Sequence, residues 1–495
     1  MIGWWVLAAV VACRLVLCIY RIWFHPLSKF PGPWIHSASY LPYLYRNHVT
    51  WDWIKQMPQL HRTYGPVVRI GPNHLSVDGS LAWPEIIANR SSSVEYPKQP
   101  GYLGPRDDLS LTGCGLTPRR KHHRRLIARA FRERDLRDQE PTMSGHVDLL
   151  VQRIRDYSDN DEAFNLVDWF TFLTFDVFGH VVFCESFECL TKEAFRPLAL
   201  MRSKAVKEFG TRKFFLIYFS WDVARWLWTK SPFIRNFWTV EKEIRQRAMH
   251  RISLGTEGRS DRSDLMSHLL MAAEDKSAHA MTQDEVLSNT TLLIVAAGET
   301  TLPTLSGLFF YLGQNRQVYK TVSDEIRGLF RQKPQSIDYI SGVALPYLNA
   351  CIQETMRVYP PVPELSTRIS PGHSIDGRFV PAGTHVSLYM YSTSRNPHSF
   401  TDPDSFRPER WLPGNAEFQG DHPDVSKPFS CGPRDCVGKT MALQLIRLTA
   451  VRLLCEFDFD LLPGQEDWQE RQRASAFWEV SPLRVKFRPY KENNM

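Results

Sequence analysis

Cysteine is scarce: nine in 495 residues. That excludes a scaffold built on disulfides, and the odd number fits a reducing compartment. An excess of charge of one sign is nearly absent. Sixty Lys and Arg stand against 53 Asp and Glu, a net +7, which is too mild for a nucleic-acid binder of this length and suits an anionic membrane surface or an acidic partner. Long hydrophobic runs are missing apart from one, so the chain is not a multi-span membrane protein. No internal repeat and no low-complexity linker follows residue 35, which favours one large body. What is present is ordinary for a folded chain: 43% hydrophobic and 23% charged residues, against disorder. The 33 prolines and 12% aromatics point to many turns and a large apolar interior.

The single apolar run of membrane length occupies residues 2–24, in which only Arg14 and Arg21 are charged. As a helix, residues 2–20 span about 28 Å, near the ~30 Å of a bilayer core. Arg14 lies past the middle and would snorkel to an interface. The flank is basic and aromatic, with Arg21, Trp23, Phe24, His25 and Lys29. Nothing basic precedes the run and no small-residue cleavage site follows it. This is the pattern of an uncleaved signal anchor with the body on the cytosolic side, the alternatives being a cleaved signal peptide or a helix buried in the fold. Phe30-Pro31-Gly32-Pro33-Trp34 cannot continue a helix and is expected to form a stiff hinge. The chain thus divides into an anchor (1–24), a hinge (25–35) and a single body (36–495).

Along the body, Val67–Pro72 and Leu75–Val77 read as two short strands joined by a turn. Residues 118–135 are basic and helical, and 140–330 carry mostly helical patterning. Thr282-Gln283-Asp284-Glu285 is a capping box opening a long apolar helix to about Leu312. A further helix near 347–358 ends before Pro360-Pro361. Residues 365–395 alternate and turn like short strands, with Asp376-Gly377 as a hairpin signal. Residues 437–456 are helical, and 474–488 look like a closing strand pair. The fold class expected is mainly α with small β-sheets, behind an N-terminal transmembrane helix.

The stretch richest in chemistry is Phe429-Ser430-Cys431-Gly432-Pro433-Arg434-Asp435-Cys436-Val437-Gly438, a Gly/Pro-rich loop leading into a helix. Cys436 sits where helix amides and the dipole favour a thiolate, with the cation of Arg434 two residues away. Gly432 and Gly438 let the loop turn and approach something large and flat. A lone cysteine beside glycine is more often a small buried hydrophobe. An alternative reading makes Cys431 and Cys436 half of a zinc or redox site, although no second Cys or His pair follows at zinc spacing. The whole pattern, Phe-x-x-Gly-x-Arg-x-Cys-x-Gly, resembles the haem-binding loop of the cytochrome P450 superfamily at all five fixed positions. The resemblance implies that Cys436 is the axial thiolate ligand of iron in haem b, that Arg434 contacts a propionate, and that Phe429 shields the sulfur. Gly438 belongs to the same cofactor loop. A thiolate ligand pushes electron density onto iron and favours O–O cleavage.

Other motifs agree. Glu354-Thr355-Met356-Arg357 sets a carboxylate and a guanidinium three residues apart on one helix face, by itself usually a solvated ion pair. Phe406-Arg407-Pro408-Glu409-Arg410-Trp411 resembles a second structural motif of the family, so that Glu354, Arg357 and Arg410 would form a buried structural triad. Ala296-Ala297-Gly298-Glu299-Thr300-Thr301, otherwise a polar interruption in a buried helix, resembles the family's oxygen-binding segment. Glu299 and Thr300 would be its catalytic acid–alcohol pair. Two departures stand out: the family's usual Gly at the second position is Ala297, and Pro303 deprives the Glu299 carbonyl of its amide partner, which predicts a kink at the pair. Pro360-Pro361-Val362-Pro363 followed by Arg368 matches a further segment, and Arg124 lies seven residues before Phe131. Arg124 and Arg368 would be additional propionate partners, with Arg120 where the family has Trp.

The resemblance spans nearly the whole chain. The texture of Tyr20–Leu27 and Asp168-Trp169-Phe170 is similar to fungal microsomal members that act in secondary metabolism. It implies a monooxygenase inserting one atom of O2 into a small lipophilic, secondary-metabolite-like substrate. Electrons would come from a separate NADPH-dependent cytochrome P450 reductase docking on the basic Arg119–Arg125 cluster and Lys439. The implied location is the endoplasmic reticulum membrane, single-pass in membrane lipid with the catalytic domain cytosolic, and without nucleic acid. Pocket walls would come from roughly 96–116, 200–235, 290–301, 362–367 and 475–479, with Leu293, Ala296, Val362, Leu365, Phe477 and Trp478 as candidates. Glu364 in that neighbourhood would either meet a basic nitrogen on the substrate or point to solvent. Phe214–Phe219 would dip into the membrane or pack in the core. The rivals are a reductase-independent haem-thiolate isomerase or dehydratase, against which the Glu299-Thr300 pair argues, and a non-catalytic haem protein.

Overall fold

The computed structural model describes residues 2–88, 95–99, 109–113, 115, 117–201, 235–254, 264–274, 279–330, 342–474 and 477–491. The pocket segments expected around 100–108, 202–234 and 475–476, with Phe214–Phe219, lie outside them. Helix α1 (Ile2–Ile19) runs into a π-helical turn over Tyr20–Phe24. From Gly3 to Phe24 it is long and apolar enough to cross a bilayer, and none of it is buried in protein. Two other helices meet the same length and hydropathy, but they are mostly buried within the body.

The segment expected as a hinge is docked. Leu27 and Phe30 are buried, and the Pro31 carbonyl accepts from the Arg69 amide at 2.7 Å. A Cβ on Gly32 would sit 2.2 Å from the Arg69 carbonyl oxygen, so glycine is what allows the two backbones to touch. Helices α2 (Trp34–Ala38) and α3 (Leu41–Tyr45) follow.

Ten longer helices and four small sheets build the body among the described residues. The helices are α4 (Trp53–Tyr64), α5 (Pro118–Ile127), α6 (Glu133–Asp159), α7 (Leu166–Phe183), α8 (Arg235–Ser253), α9 (Leu265–Ala273), α10 (Gln283–Gln314), α11 (Arg316–Phe330), α12 (Pro346–Val358) and α13 (Lys439–Glu456). Helix α7 is apolar on nearly every side and almost wholly buried, as a central helix must be, and α10 packs along it. The start of α10 is fixed by the expected capping box. The Thr282 hydroxyl accepts from the Glu285 amide at 3.2 Å, and Glu285 Oε2 accepts from the Thr282 amide at 2.8 Å, which satisfies two amides that no helical carbonyl reaches. The helix continues unbroken through Pro303. The basic stretch at 118–135 is two pieces, because a 3-10 turn at Ala128–Phe131 separates α5 from α6.

Strands β1 (Val67–Gly71) and β2 (His74–Val77) pair antiparallel as expected. They belong to a sheet ordered β1-β2-β7-β4, with β4 at Arg368–Ile369 and β7 at His385–Ser387. The Asp376-Gly377 hairpin joins β5 (His373–Ile375) to β6 (Arg378–Val380). Both turn residues have positive φ, 53° and 70°, as a type I′ turn requires. The carboxyl-terminal expectation needs correction. The last strand, β11 (Arg484–Pro489), pairs with β8 (Phe457–Leu461) and β3 (Phe164–Asn165). Only β9 (Arg473–Ala474) and β10 (Trp478–Glu479) form a local pair. Phe459 and Phe487 stack at 5.4 Å across β8 and β11, and that burial decides the pairing.

Candidate functional site

Cys436 lies on a loop closed by its own amide, which donates to the Phe429 carbonyl at 2.9 Å. Gly432 has φ 76°, and a Cβ there would lie 2.9 Å from Ala88 Cα and 3.1 Å from the Ile87 carbonyl oxygen. Only glycine lets the loop press against that backbone. Cys436 is exposed, while Phe429 is half-buried against the main core with the Lys439 ammonium 5.7 Å from its ring centre. Loss of water around the thiol raises its pKa; the Gly438 amide, Arg124 and Lys439 pull the other way. Gly438 caps α13. A Cβ there would meet only Phe131, at 3.8 Å, so the loop leaves room beside the sulfur.

Positive charge gathers next to this loop. Arg434 donates to the Gly113 carbonyl at 2.9 Å and to Glu95 Oε1 at 2.7 Å. Arg368, on β4, is 7% exposed. Its Nε makes no hydrogen bond, and its Nη1 has only a long 3.4 Å contact to the Tyr96 carbonyl. Burial and then the neighbouring Arg434 draw the Arg368 pKa down to about 10, with Glu95 the acid opposing them. A buried guanidinium whose Nε has no acceptor, beside a second arginine, is an arrangement that a carboxylate-bearing ligand completes. A porphyrin with two propionates fits, as do the open thiol and the space at Gly438. Arg124 is held by Asp435, through the carbonyl at 2.7 Å and through the side chain. This ties α5 to the residue before Cys436.

Helix α10 is buried along its carboxyl-terminal half but leaves two stripes partly open nearer its start: Leu293, Ala296, Ala297 and Thr300 on one face, and Ser288, Thr291, Leu292 and Val295 on the other. Each set has the spacing i, i+3, i+4 and i+7. Thr300 donates from Oγ1 to the Ala296 carbonyl at 2.8 Å, while Glu299, beside it, is 4% exposed. Thr304 Oγ1 donates to the Thr300 carbonyl. Val362, Leu365 and Phe477 are half-buried. Trp478 is 3% exposed. Its ring is buried 4.9 Å from Tyr359 and 5.6 Å from Tyr391, because its indole N–H finds the Pro360 carbonyl at 2.7 Å. Glu364 is 1% exposed, which removes the solvent-facing reading.

Glu354, Arg357 and Arg410 do meet. Glu354 accepts from Arg357 Nε and Nη2, both at 2.8 Å, and from Arg410 Nε at 3.0 Å. Two donors the motifs did not announce complete it: the Arg407 amide at 2.9 Å and Trp411 Nε1 at 2.8 Å. Burial pushes the carboxyl up, but the Arg357 hydrogen bonds and the charges of Arg357 and Arg410 outweigh it and hold Glu354 below its ordinary value. Arg357 also donates to the carbonyls of Ser394, Pro403 and Ser405, and Arg410 pairs with Asp421.

Sequence reasoning missed two clamps on α10. Asn289 accepts from the Leu111 amide at 2.8 Å and donates to the Leu109 carbonyl at 3.2 Å, fixing that loop. Arg119 grips Glu285 with two bonds, at 3.0 and 2.6 Å. The Glu285 carboxyl, despite burial, is drawn to about 2 by that hydrogen bonding and by the Thr282 amide. Arg119 and Arg124 are therefore committed within the protein, and the basic face reduces to the exposed Lys121, Arg125, Arg129, Arg132 and Lys439.

A sequence profile of the family described as Cytochrome P450 matches residues 38–487. A cytochrome P450 monooxygenase of Aspergillus oryzae, astJ, is 33% identical and covers 97% of this chain and 95% of its own. One from Purpureocillium lilacinum, lcsI, is 34% identical over 96% and 92%. The averantin hydroxylase of Dothistroma septosporum is 34% identical over 98% and 90%.

Proposed function

Since this chain belongs to the cytochrome P450 family and is a monooxygenase of it, we propose that it hydroxylates, or similarly oxidises, a small apolar secondary-metabolite-like substrate with electrons from an NADPH-dependent reductase. The observation that carries this reading is the exposed residue Cys436 on a loop beside the buried guanidinium of Arg368, whose Nε has no acceptor. Haem b, when bound, supplies the activation of O2 and the transfer of one oxygen atom to the substrate, the other leaving as water.

The chain's own residues do the rest. Cys436 Sγ would be the protein's ligand to the haem iron, and Phe429 would keep water from the sulfur. Arg368 and Arg434, with Arg124, would meet the propionates, and Gly438 would leave room for the macrocycle. Thr300 Oγ1 and the Glu299 carboxyl would hold and relay protons toward the pocket. Leu293, Ala296, Val362, Leu365 and Phe477 wall an apolar pocket that excludes water and orients the substrate. Glu354, Arg357 and Arg410 are structural. Residues 1–24 anchor the protein in a membrane, which we assign to the endoplasmic reticulum, with 25–35 joining the anchor to a cytosolic catalytic domain at 36–495. The reductase's acidic face meets Lys121, Arg125, Arg129 and Lys439.

The test is a carbon-monoxide difference spectrum of the reduced membrane fraction, beside Cys436→Ala. A red-shifted Soret band, lost in the variant, is expected. Its absence from a haem-replete parent refutes thiolate ligation. Product formation that persists without NADPH and reductase turns the reading to an isomerase or dehydratase.

A further inference from the structure

Where the apolar anchor ends, cations collect without acids. Arg21, in the π-helical turn, donates from Nη1 to the Ala38 carbonyl at 3.0 Å, seating α2 against the foot of α1. His25, the next residue with a charge to offer, accepts the Leu27 amide on Nδ1 at 3.1 Å, so its ring proton belongs on Nε2. Arg69, on β1, is 1% exposed. Its Nη2 donates to the Pro72 carbonyl at 2.8 Å, and its Nε makes no hydrogen bond. Tyr40 closes the group, its hydroxyl accepting from the Asn73 amide at 3.3 Å and its ring pressed where a Gly71 Cβ would be.

These groups feel one another. Burial, then Arg69 and then Arg21 lower the pKa of His25. Burial, with Arg21 adding to it, draws Arg69 down to about 10, while Tyr40 opposes. No described carboxylate forms an ion pair with either arginine. Two other buried guanidiniums are each answered by an acid: Arg251 has Asp264 at 2.6 Å, and Arg357 has Glu354 at 2.8 Å. The level in the membrane is marked by side chains that gain nothing from water. Trp23, Phe24 and Trp34 are 63%, 72% and 69% exposed, the aromatic signature of the headgroup zone.

We propose that Arg21 and His25, backed by the buried charge of Arg69, bind a phosphate group at the foot of the anchor. Arg21 and His25 are half-buried and make the contact. Arg69 lies beneath and contributes field. The phosphate is carried by an anionic phospholipid headgroup or arrives free in solution; its chemistry at the site is the same. Bound there, it supplies the negative charge that the cluster lacks and fixes the body's tilt against the membrane.

The experiment uses the purified full-length protein in neutral detergent. It is incubated with equimolar dioleoylphosphatidylcholine and dioleoylphosphatidic acid, and lipid retained per chain is counted by native mass spectrometry. The expected result is one retained phosphatidic acid at about tenfold preference. That preference falls to near parity in Arg21→Gln/His25→Gln, two half-buried positions where folding is not at risk, and in Arg69→Met if it folds. Arg14→Gln, within the apolar run, should leave it unchanged. Displacement of the lipid by inorganic phosphate assigns the site to the free ion, and retention against it assigns the lipid. No preference in the parent, an undiminished preference in the double variant, or an equal loss in Arg14→Gln overturns the proposal.

Discussion

The two arginine clusters of the body are built on opposite terms. Around Glu354 every charge is answered: one carboxylate accepts five hydrogen bonds, and the two guanidiniums are spent on it, on Asp421 and on backbone carbonyls. Around Arg368 the charge is not answered: its Nε has no acceptor, and the nearby acid, Glu95, is paired with Arg434. The first cluster is complete as protein and holds segments together. The second is incomplete as protein, which is how a cofactor site looks when its ligand carries the missing charge.

The sharpest way to break this comparison is Glu354→Gln. Gln keeps the shape but removes the charge, leaving the buried guanidinium of Arg357 without an acid and Arg410 with Asp421 alone, and forcing an amide N–H against one of them. A loss of about 3–5 kcal/mol is expected, read as a lower urea midpoint. A midpoint equal to the parent's would mean that the network is not holding the fold. Arg368→Met should behave differently. In haem-free protein it removes a charge that has no acid of its own, so stability should stay within about 1 kcal/mol of the parent or rise. In the loaded protein it removes a cation from the cofactor, and haem transfer to an acceptor protein should become about tenfold faster. If Arg368→Met instead destabilises the haem-free protein as much as Glu354→Gln, the two clusters are of one kind.

A third pair, Arg119 with Glu285, sharpens the comparison through pH. The Glu285 carboxyl is held near about 2 in the folded protein, below its ordinary value of about 4.3. A depressed carboxyl contributes stability above its unfolded pKa and loses it as pH falls through the folded one. The gap in stability between the parent and Arg119→Gln should therefore be full at pH 6 and shrink between about pH 4.5 and 2. Unfolding curves at pH 6, 4 and 3 would follow it. With Arg119 a third exposed, the full gap should be about 1–2 kcal/mol, and a gap independent of pH would deny the pair its role.

What could be read from the residues was whatever is local. The capping box at Thr282, the Asp376-Gly377 turn and the ten-residue cysteine loop each carry their geometry within a few positions. Where sequence failed, the determinant was distant. Asn289 meets Leu109 and Leu111 across about 180 positions, and Arg119 meets Glu285 across 166. No periodicity announces such partners, so Arg119 looked like docking surface. Trp411 sat in a recognised motif, yet its indole N–H as a donor to Glu354 needed the fold. The pairing of β11 with β8 instead of a sequence neighbour was decided by the Phe459–Phe487 stack, again a contact between separate segments. Trp478 rests its indole N–H on the Pro360 carbonyl, 118 positions away.

The smallest expected effect isolates backbone strain from ligand chemistry. Gly377 and Gly432 both hold positive φ, 70° and 76°. At Gly377 nothing lies within 4 Å of an added Cβ, whereas at Gly432 the Ala88 and Ile87 backbones do. Gly377→Ala should therefore meet strain alone, about 1 kcal/mol, with the haem spectrum untouched. The same change at Gly432 adds a collision that must displace either residues 87–88 or the cysteine loop. Its Soret band should shift or weaken at a haem load where that of Gly377→Ala does not. If both variants lose stability equally and neither disturbs the spectrum, the close approach at Gly432 does not govern where Cys436 sits, and the loop's geometry is set by its own hydrogen bonds.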